Sequence, residues 1–540
     1  MHESNLNPRS EEFKQNQVAM QQLVAQLNAR LAQVSVGGGE RGARKLREQG
    51  KLLPRERLEL LLDPGTPFLE LSPLAAWGMY NDEAPCAGNI TGIGVVSGVE
   101  CMVFVNDPTV KGGSVYPMTL QKTLRAQAIA QENRLPCISL VESAGANLLF
   151  QDEIFILGGR SFANQARMSA LGIPQISLVF GSSTAGGAYV PGMSDYTVFV
   201  RGQAYAYLGG PPLVKMATGE ETDDETLGGA TMHAQVSGLA DYLAADDADA
   251  IRIGRRIVAQ LRSEKANGHF DDAQCKHRQS PVPPAYDPDE LLGIIPADPK
   301  IPFDIREIII RIVDGSDFFE FKPEYGPTLV CGHAHLNGWP VGILGNNGIL
   351  FSESANKAAQ FIQLCNQSRT PLIYLQNITG FMVGTKYERE GIIKYGSQMI
   401  NAVATSSVPQ FSIIVGGSYG AGNYAMCGRA YDPRFLWTWP NSRVAVMGGE
   451  QAAGVLAIVQ EQQARRRGQE PDQNAIQMLQ MMTRQKFEKE SDPYYATARL
   501  WDDGIIDPRD TRQVLSIGLS VAHNVDFVTP GAPRYGVFRM

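Results

Sequence analysis

The chain has 540 residues, and 48 Lys+Arg against 56 Asp+Glu give it a formal net charge of −8. With 44% hydrophobic and 19% charged residues, its composition is that of a folded globular protein and not of a disordered one. The net acidity, without a Lys/Arg-dense run, argues against nucleic acid or an anionic membrane surface as the main partner. No run of about 18 apolar residues occurs, so no membrane span is predicted.

The N-terminus and the cysteines bear on the compartment. The first residues lack the apolar segment of a secretory signal. The seven cysteines are scattered, form no CxxC pair and are odd in number, which favours reduced thiols. We therefore expect a cytoplasmic protein, although a cleaved organelle signal upstream would also be compatible with this pattern.

The first sixty residues predict helices. Residues 11–34 form an amphipathic pattern in which Val24, Leu27 and Leu31 recur at i, i+3 and i+7. A second helical stretch, residues 41–63, contains a glycine and a proline that should break it.

From about residue 88 the pattern changes to short apolar runs punctuated by glycine. Helical stretches such as residues 117–133 separate these runs. This alternation predicts an α/β fold. A Pro-rich, weakly patterned stretch at 280–304 is typical of a linker.

Four motifs of the first half return in the same order in the second half. The pairs are 67–71 with 317–321, 97–107 with 337–347, 133–146 with 368–381, and 172–189 with 407–424. Their offsets drift slowly, from 250 through 240 to 235 residues. Ordered repeats of this kind indicate duplication. We predict two homologous α/β domains in tandem.

This duplication divides the chain into four parts. Residues 1–34 are predicted to be an N-terminal helix and residues 35–285 the first domain. Residues 286–304 are the predicted linker, and residues 305–540 form the second domain.

In each half, one β-run ends in a turn of small residues, GSSTAGGAY at 181–189 and GGSYGAGNY at 416–424. Neither is a Walker A loop, and Ser182 and Ser183 have no evident His partner for nucleophilic catalysis. Such a turn exposes backbone N–H groups at a helix N-terminus, which can stabilise a phosphate or the oxyanion of an enolate. The alternative is a tight strand–helix crossing without a chemical role.

Several other features favour structural roles. His333 and His335 alternate on one side of a predicted strand without further ligands nearby, so we expect no metal site. Lys215 lies in Val-Lys-Met after Gly-Gly-Pro-Pro and not in a Met-Lys-Met biotin acceptor, so we expect it to carry no biotin. The acidic run 218–226 is expected to be solvated. Glu450 is compatible with a helix cap or with a cavity wall.

Seven long motifs follow one another in the chain: VKGGSVYPMTLQKTLRAQ, GPPLVKMATGEE, GNNGILFSESANKAAQFIQLC, QNITGFMVG, YGAGNYAMCGRAYDPRFLWTWPN, VMGGEQAAGVLA and PYYATARLWDDGIIDPRDTR. In this order they resemble the β subunit of biotin-dependent acyl-CoA carboxylases, in the 3-methylcrotonyl-CoA and geranyl-CoA branch. The resemblance runs from about residue 38 to the C-terminus.

The resemblance implies a fold, a reaction and partners. The fold is a tandem of two crotonase-like domains of the ClpP/crotonase superfamily. The reaction is carboxyl transfer from carboxybiotin to the γ-carbon of a β-methyl α,β-unsaturated acyl-CoA, with no metal bound by this chain. Acyl-CoA binds the N-terminal domain and biotin the C-terminal domain of another protomer. The chain has neither an ATP-grasp signature nor a biotin acceptor. It therefore needs a biotin carboxylase/biotin carrier (α) subunit, within a homo-oligomer expected to be a hexamer.

By family position, four backbone N–H groups carry the chemistry. Those of Gly186 and Gly187 hold the developing dienolate oxygen, and those of Ala421 and Gly422 hold the ureido oxygen of biotin. The two pairs are separated by the repeat offset of 235 residues. The ureido nitrogen freed by decarboxylation takes the proton, so no side-chain base is expected.

Small residues at repeat-equivalent positions are expected to shape the two pockets: Ser143, Ala144 and Gly145 in the first half, and Thr379, Gly380 and Phe381 in the second.

Departures from the methylcrotonyl pattern bear on the substrate. Ala163 stands where that branch has Tyr, and residues 148–150 (Leu-Leu-Phe) make the wall more apolar. Both changes favour a longer chain such as geranyl, with 3-methylcrotonyl-CoA as the alternative. Other classes considered are a crotonase-type hydratase or isomerase, which the duplication argues against, and a non-catalytic scaffold subunit.

Overall fold

The computed structural model describes residues 3–266, 279–298, 301–525 and 527. Two sheets carry the fold. The first contains β1 Leu69–Leu71, β2 Asn89–Val96, β3 Val99–Asn106, β5 Cys137–Ser143, β7 Gln175–Thr184, β8 Tyr196–Val200, β9 Tyr205–Tyr207 and β10 Tyr242–Ala244. The second contains β11 Phe318–Glu320, β12 Leu329–Leu336, β13 Trp339–Asn346, β14 Leu372–Ile378, β15 Gln410–Tyr419, β16 Phe435–Thr438 and β17 Arg443–Ala445. A separate pair joins β4 Ser114–Val115 to β6 Gly145–Ala146.

Helices of the first half are α1 Glu11–Ser35, α2 Gly39–Glu48, α3 Pro54–Leu61, α4 Pro117–Glu132, α5 Gln151–Ala170, α6 Tyr189–Gly192, α7 Pro211–Thr218, α8 Asp224–Gly228, α9 Ala230–Met232 and α10 Asp247–Ala266. Those that follow are α11 Leu291–Ile294, α12 Arg306–Ile312, α13 Ser352–Gln367, α14 Thr385–Arg389, α15 Ile392–Ala404, α16 Gly420–Ala425, α17 Gly449–Arg466, α18 Gln473–Glu490, α19 Pro493–Ala498 and α20 Thr511–Ala522. The helix predicted at 11–34 is confirmed as α1, and the broken stretch at 41–63 as α2 and α3. None of these described helices combines the length and apolarity needed to cross a membrane.

The two sheets have the same topology. The first runs β1-β2-β3-β5-β7-β8-β10 with β9 beside β7, and the second runs β11-β12-β13-β14-β15-β16 with β17 beside β15. Even the register repeats: Asn89 faces Asn106 in the first sheet and Leu329 faces Asn346 in the second, 240 residues on. The tandem α/β duplication is therefore confirmed.

The two halves share one apolar core. Met102 and Ile173 of the first half and Ile343 and Trp437 of the second belong to a single buried cluster. The described part of the predicted linker contributes to it, because α11 is buried there. This segment is thus part of the core and not a free connection.

A buried carboxylate also joins the halves. The Asp503 side chain is fully buried and accepts from the Arg125 guanidinium of α4 at 2.8 and 2.9 Å. It also accepts from Arg429 at 2.8 Å and from the Leu436 N–H at 2.9 Å. Burial by itself would raise the pKa of Asp503, but the two guanidinium groups outweigh it and hold the pKa below its usual value.

The neighbouring Asp502 has the opposite shift. Its carboxylate is buried, accepts from the Thr438 hydroxyl at 2.6 Å and from the Gly504 N–H at 3.0 Å, and forms no printed ion pair. Burial disfavours the charged form and raises the pKa of Asp502 to about 6.

Asp502 should therefore make stability pH-dependent. Because its folded-state pKa lies above the unfolded value, the folded protein binds the proton more tightly, and stability falls as pH rises towards and through 6. Replacing Asp502→Asn should remove up to about 3 kcal/mol of this loss between pH 4 and 8. Thermal or urea unfolding at several pH values measures it. The matched Asp503→Asn variant should lose about 3–5 kcal/mol at neutral pH, because it leaves two buried arginines without their carboxylate. An unchanged pH profile in Asp502→Asn would contradict the assignment.

Candidate functional site

The first glycine turn directly follows β7. Residues 185–188 form a single 3-10 turn, with Gly186 exposed and Gly187 half-buried. Ala185 adopts φ +52°, a conformation that side chains rarely take, and the Ser183 hydroxyl donates to the Gly187 carbonyl at 2.9 Å. N–H groups in the first turn of a helix have no intrahelical acceptor, so this turn presents donors at the carboxyl edge of the sheet.

The second turn repeats this geometry after β15. Gly420, 235 residues after Ala185, adopts φ +56° and begins α16. Ala421 is exposed, whereas Gly422 is buried. A Cβ at Gly422 would lie 2.4 Å from Ile378 Cγ1. The two predicted pairs of N–H groups thus occupy equivalent places, and Gly422 has no space for a side chain.

The predicted small-residue segment of the first half lies beside its turn. The Ser143 hydroxyl donates to the Gly113 carbonyl at 2.9 Å and accepts from the Gly145 N–H at 3.1 Å. A Cβ at Gly187 would be 3.7 Å from this hydroxyl. Ser143, Gly145 and Gly187 are therefore brought together, while Ala144 is exposed next to them.

The corresponding segment of the second half behaves similarly. The Gly380 carbonyl accepts from the Leu350 N–H at 3.1 Å, and Gly380 adopts φ +131°. A Cβ at Gly422 would be 3.4 Å from Gly380 Cα. Thr379 is exposed, and Phe381 is half-buried against the core of this half.

A mainly apolar cavity of about 640 Å³ opens beside the first turn, between the sheet and helices α4 and α5. Four predicted site residues line it: Ser143, Gly145, Gly186 and Gly187. Phe155 and Ile156, more than 70% exposed, lie at its rim. It lacks charged side chains among its lining residues, all of which lie within the described range 89–190.

The residues from which the sequence predicted a wider pocket lie outside this cavity. Ala163 is half-buried but does not line it; its neighbour Phe162 does. Leu148 and Leu149 are more than 80% exposed, and Phe150 packs on Tyr80. The size of this cavity therefore has another origin.

A second, wider cleft of about 1200 Å³ meets the first cavity at Ser143, which lines both. Its walls include Gly37–Gly39 and the basic side chains of Arg41, Lys45 and Lys111. Cations around a glycine-rich wall suit an anionic ligand.

Sequence reasoning missed a buried ionic cluster below Ser143. Glu142 accepts from Lys51 at 2.6 Å and from Arg57 at 2.8 Å, and Arg57 also donates to Asp247 at 2.8 Å. A Cβ at Gly181 would lie 2.4 Å from Glu142 Oε1, so this glycine permits the approach. The cluster fixes the end of β5, which carries Ser143. No local pattern joins residues so distant in sequence.

The remaining candidates are placed as follows. Lys215, on α7, is exposed and pairs with Glu221 at 2.6 Å. His333 is half-buried on β12, where burial lowers its pKa. Glu450 is exposed in the first turn of α17. Within the described ranges, no group of three His, Cys, Asp or Glu side chains could hold a metal ion.

Comparisons with known proteins agree with this geometry. The model of the carboxyl transferase domain family matches residues 45–533. The chain is 55% identical to the β1 subunit of the biotin-dependent 3-methylcrotonyl-coenzyme A carboxylase of Mycobacterium tuberculosis, over 96% of this chain and 97% of that one. It is 53% identical to the probable mitochondrial methylcrotonoyl-CoA carboxylase β chain of Drosophila melanogaster, over 99% and 95%. The solved β subunit of Pseudomonas aeruginosa geranyl-CoA carboxylase superposes with a TM-score of 0.89 at 50% identity, over 99% of both chains.

The close approach at Gly422 yields a stability test. Gly422→Ala should cost about 1–3 kcal/mol of unfolding free energy, because its Cβ would overlap Ile378. The repeat-equivalent Gly187→Ala, with 3.7 Å of space, should remain within about 0.5 kcal/mol of the unsubstituted protein. Chemical denaturation measures both, and equal effects would contradict this packing.

Proposed function

Because the chain belongs to the carboxyl transferase family, as the carboxyltransferase (β) subunit of a biotin-dependent acyl-CoA carboxylase, we propose its acceptor and its catalytic groups. It transfers a carboxyl group from carboxybiotin, carried by an α subunit, to the γ-carbon of a β-methyl α,β-unsaturated acyl-CoA. It belongs to the branch that contains the 3-methylcrotonyl-CoA and geranyl-CoA carboxylases.

The observation that carries this proposal is the junction at Ser143. The cleft with Arg41, Lys45 and Lys111 suits the phosphates of coenzyme A, and the neutral cavity suits an acyl chain. A ligand that fills both places its thioester where they meet, beside Gly187.

At that place the backbone stabilises charge. Removal of the γ-proton moves negative charge to the thioester oxygen, which the N–H groups of Gly186 and Gly187 hold. A donor aimed at developing charge in a water-poor site lowers the barrier by several kcal/mol. The equivalent N–H groups of Ala421 and Gly422 hold the ureido oxygen of biotin, and Ser143, Ala144, Gly145, Thr379, Gly380 and Phe381 shape the two pockets.

The cavity favours geranyl-CoA over 3-methylcrotonyl-CoA. Its volume of about 640 Å³ and apolar walls accommodate a long chain. An additional isoprenyl unit buries about five carbons, with a ceiling of about 4 kcal/mol at ~0.8 kcal/mol per CH₂. This selection is a property of the whole cavity, and Ala163 lies beside it.

The two halves of a site come from different protomers in this proposal. Large apolar side chains are exposed near both turns: Leu148 and Ile156 in the first half, and Val383, Ile393 and Val446 in the second. Exposed apolar surface of this kind is typical of a protein interface. We propose a dimer-built homo-oligomer, a hexamer, as the active species.

Bicarbonate fixation tests the acceptor. The chain, combined with its biotin-bearing α subunit and ATP, should carboxylate geranyl-CoA with a higher kcat/KM than 3-methylcrotonyl-CoA, because the longer chain fills more of the cavity. Acetyl-CoA and propionyl-CoA are the controls and should be poor acceptors. Analytical ultracentrifugation of the same preparation should show an oligomer. A preference for 3-methylcrotonyl-CoA would overturn the geranyl assignment, and an active monomer would overturn the assembly.

The oxyanion role has its own test. Gly187→Pro removes one N–H in a first turn that tolerates proline, and should lower kcat by about 10²–10³-fold. Gly186→Ala keeps its N–H, has 3.5 Å of space before Phe162, and serves as the control with near-normal kcat. Thermal unfolding checks that both variants are folded. Full activity of folded Gly187→Pro would exclude this N–H from the reaction.

A further inference from the structure

The inner wall of the acyl cavity differs from the same region of the second half. In the second half this region is a closed apolar core built from Leu329, Ala358, Ile362 and Tyr374, with Ile400 packed against it. The repeat-equivalent positions in the first half hold Asn89, Thr123, Gln127, Ser139 and Gln165, all of which line the cavity. One copy of the duplicated core is thus filled and apolar, and the other is hollow with polar groups.

The exchange of Tyr374 for Ser139 accounts for much of the space. The Tyr374 ring is fully buried, and its hydroxyl donates to Gln410 at 2.8 Å. In the first half Ser139 carries no ring, and Gln175, the equivalent of Gln410, lines the cavity. The hollow therefore reaches into the place that an aromatic side chain occupies in the other half.

Most polar groups of this wall are satisfied by the protein. Gln127 donates to the Ser161 carbonyl at 3.0 Å, and Gln165 donates to the Val190 carbonyl at 2.8 Å. Asn89 is the exception. It is 3% exposed, and its Oδ1 has no hydrogen-bond partner among the described residues.

The orientation of the Asn89 amide follows from its neighbours. The Thr123 hydroxyl donates to the Thr119 carbonyl at 2.8 Å, so its oxygen can only accept from Asn89, whose Nδ2 lies 3.2 Å away. The unpaired atom is therefore the amide oxygen, an acceptor that needs a donor. A buried acceptor without a partner is costly, so a ligand that supplies a donor gains affinity.

The lining excludes a charged donor. No Asp, Glu, Lys, Arg or His side chain is present among the lining residues, all within the described range 89–190, to balance an ammonium group on the ligand. A neutral hydroxyl is the donor that suits an otherwise apolar cavity.

We propose that the natural acyl chain carries a hydroxyl group at its far end, which donates to Asn89 Oδ1. This rests on the proposed function, since the thioester carbonyl must lie at Gly187. From β7, which precedes that turn, to β2, which begins at Asn89, the sheet order takes three strand steps, or about 14 Å at 4.7–4.9 Å per step. The hydroxyl therefore lies well beyond the reacting γ-carbon, at the distal end of a long branched chain.

The test compares two acyl-CoA probes that differ only in this group, geranyl-CoA and geranyl-CoA hydroxylated on a terminal methyl. With the complete α and β complex, the hydroxylated probe should have a kcat/KM at least about tenfold higher. Asn89→Leu, which installs the residue of the second half, should abolish that preference by weakening the hydroxylated probe. Ala163→Tyr, outside the lining, is the matched control and should leave the preference intact.

Three outcomes would overturn the hydroxyl. These are equal kcat/KM for both probes in the unsubstituted enzyme, equal losses for both in Asn89→Leu, and loss of the preference in Ala163→Tyr. The first means that water or nothing pairs with Asn89, and it decides the matter even where Asn89→Leu fails to fold.

Failure of the underlying function is distinguishable. If neither probe is carboxylated although the α subunit consumes ATP, the acceptor assignment fails. Calorimetric titration of both probes into the full chain then still decides the hydroxyl, since a tighter Kd for the hydroxylated probe supports it and equal Kd values refute it.

Discussion

The Asp503 carboxylate holds the two halves of the chain together, and the acyl cavity depends on it. It is fully buried between Arg125 of α4 and Arg429 of the second half. A buried charge of this kind is tolerated only when it is fully paired, so the arrangement fixes both partners. Since α4 also supplies Leu120, Thr123 and Gln127 to the cavity wall, the second half anchors the helix that encloses the ligand space of the first.

Duplication provided one frame, and the halves then diverged inside it. Strand order, register and the left-handed residue before each glycine turn are the same in both. At the end of β5 the first half has Glu142, paired with Lys51 and Arg57, whereas the equivalent Asn377 is a neutral amide. The core behind the turn is hollow in one half and filled in the other. Two similar backbone sites can thus hold two different oxyanions, one on an acyl chain and one on a compact ring.

Backbone geometry explains why no catalytic side chain is needed. Ala185 and Gly420 have positive φ, which turns the chain sharply from the sheet edge into the following helical turn. Donors in that position are fixed by the fold before any ligand arrives, so little reorganisation accompanies charge development. The exposed apolar side chains around both turns suit burial against another protomer, which would remove water from the reacting atoms.

The sequence by itself determined the elements, the duplication and the family. Periodicity specified α1, and ordered motif pairs specified the equivalence of Gly186–Gly187 with Ala421–Gly422, because these signals are local or repeat at fixed offsets. It also contained the exchange of Ser139 for Tyr374, visible when the repeats are aligned. Only the tertiary structure showed that this exchange opens a cavity, that Ala163 stands outside it, and that Asn89 lacks a donor. Those facts depend on how helices and strands from distant segments pack around one space, and a linear pattern does not record which side chains enclose it.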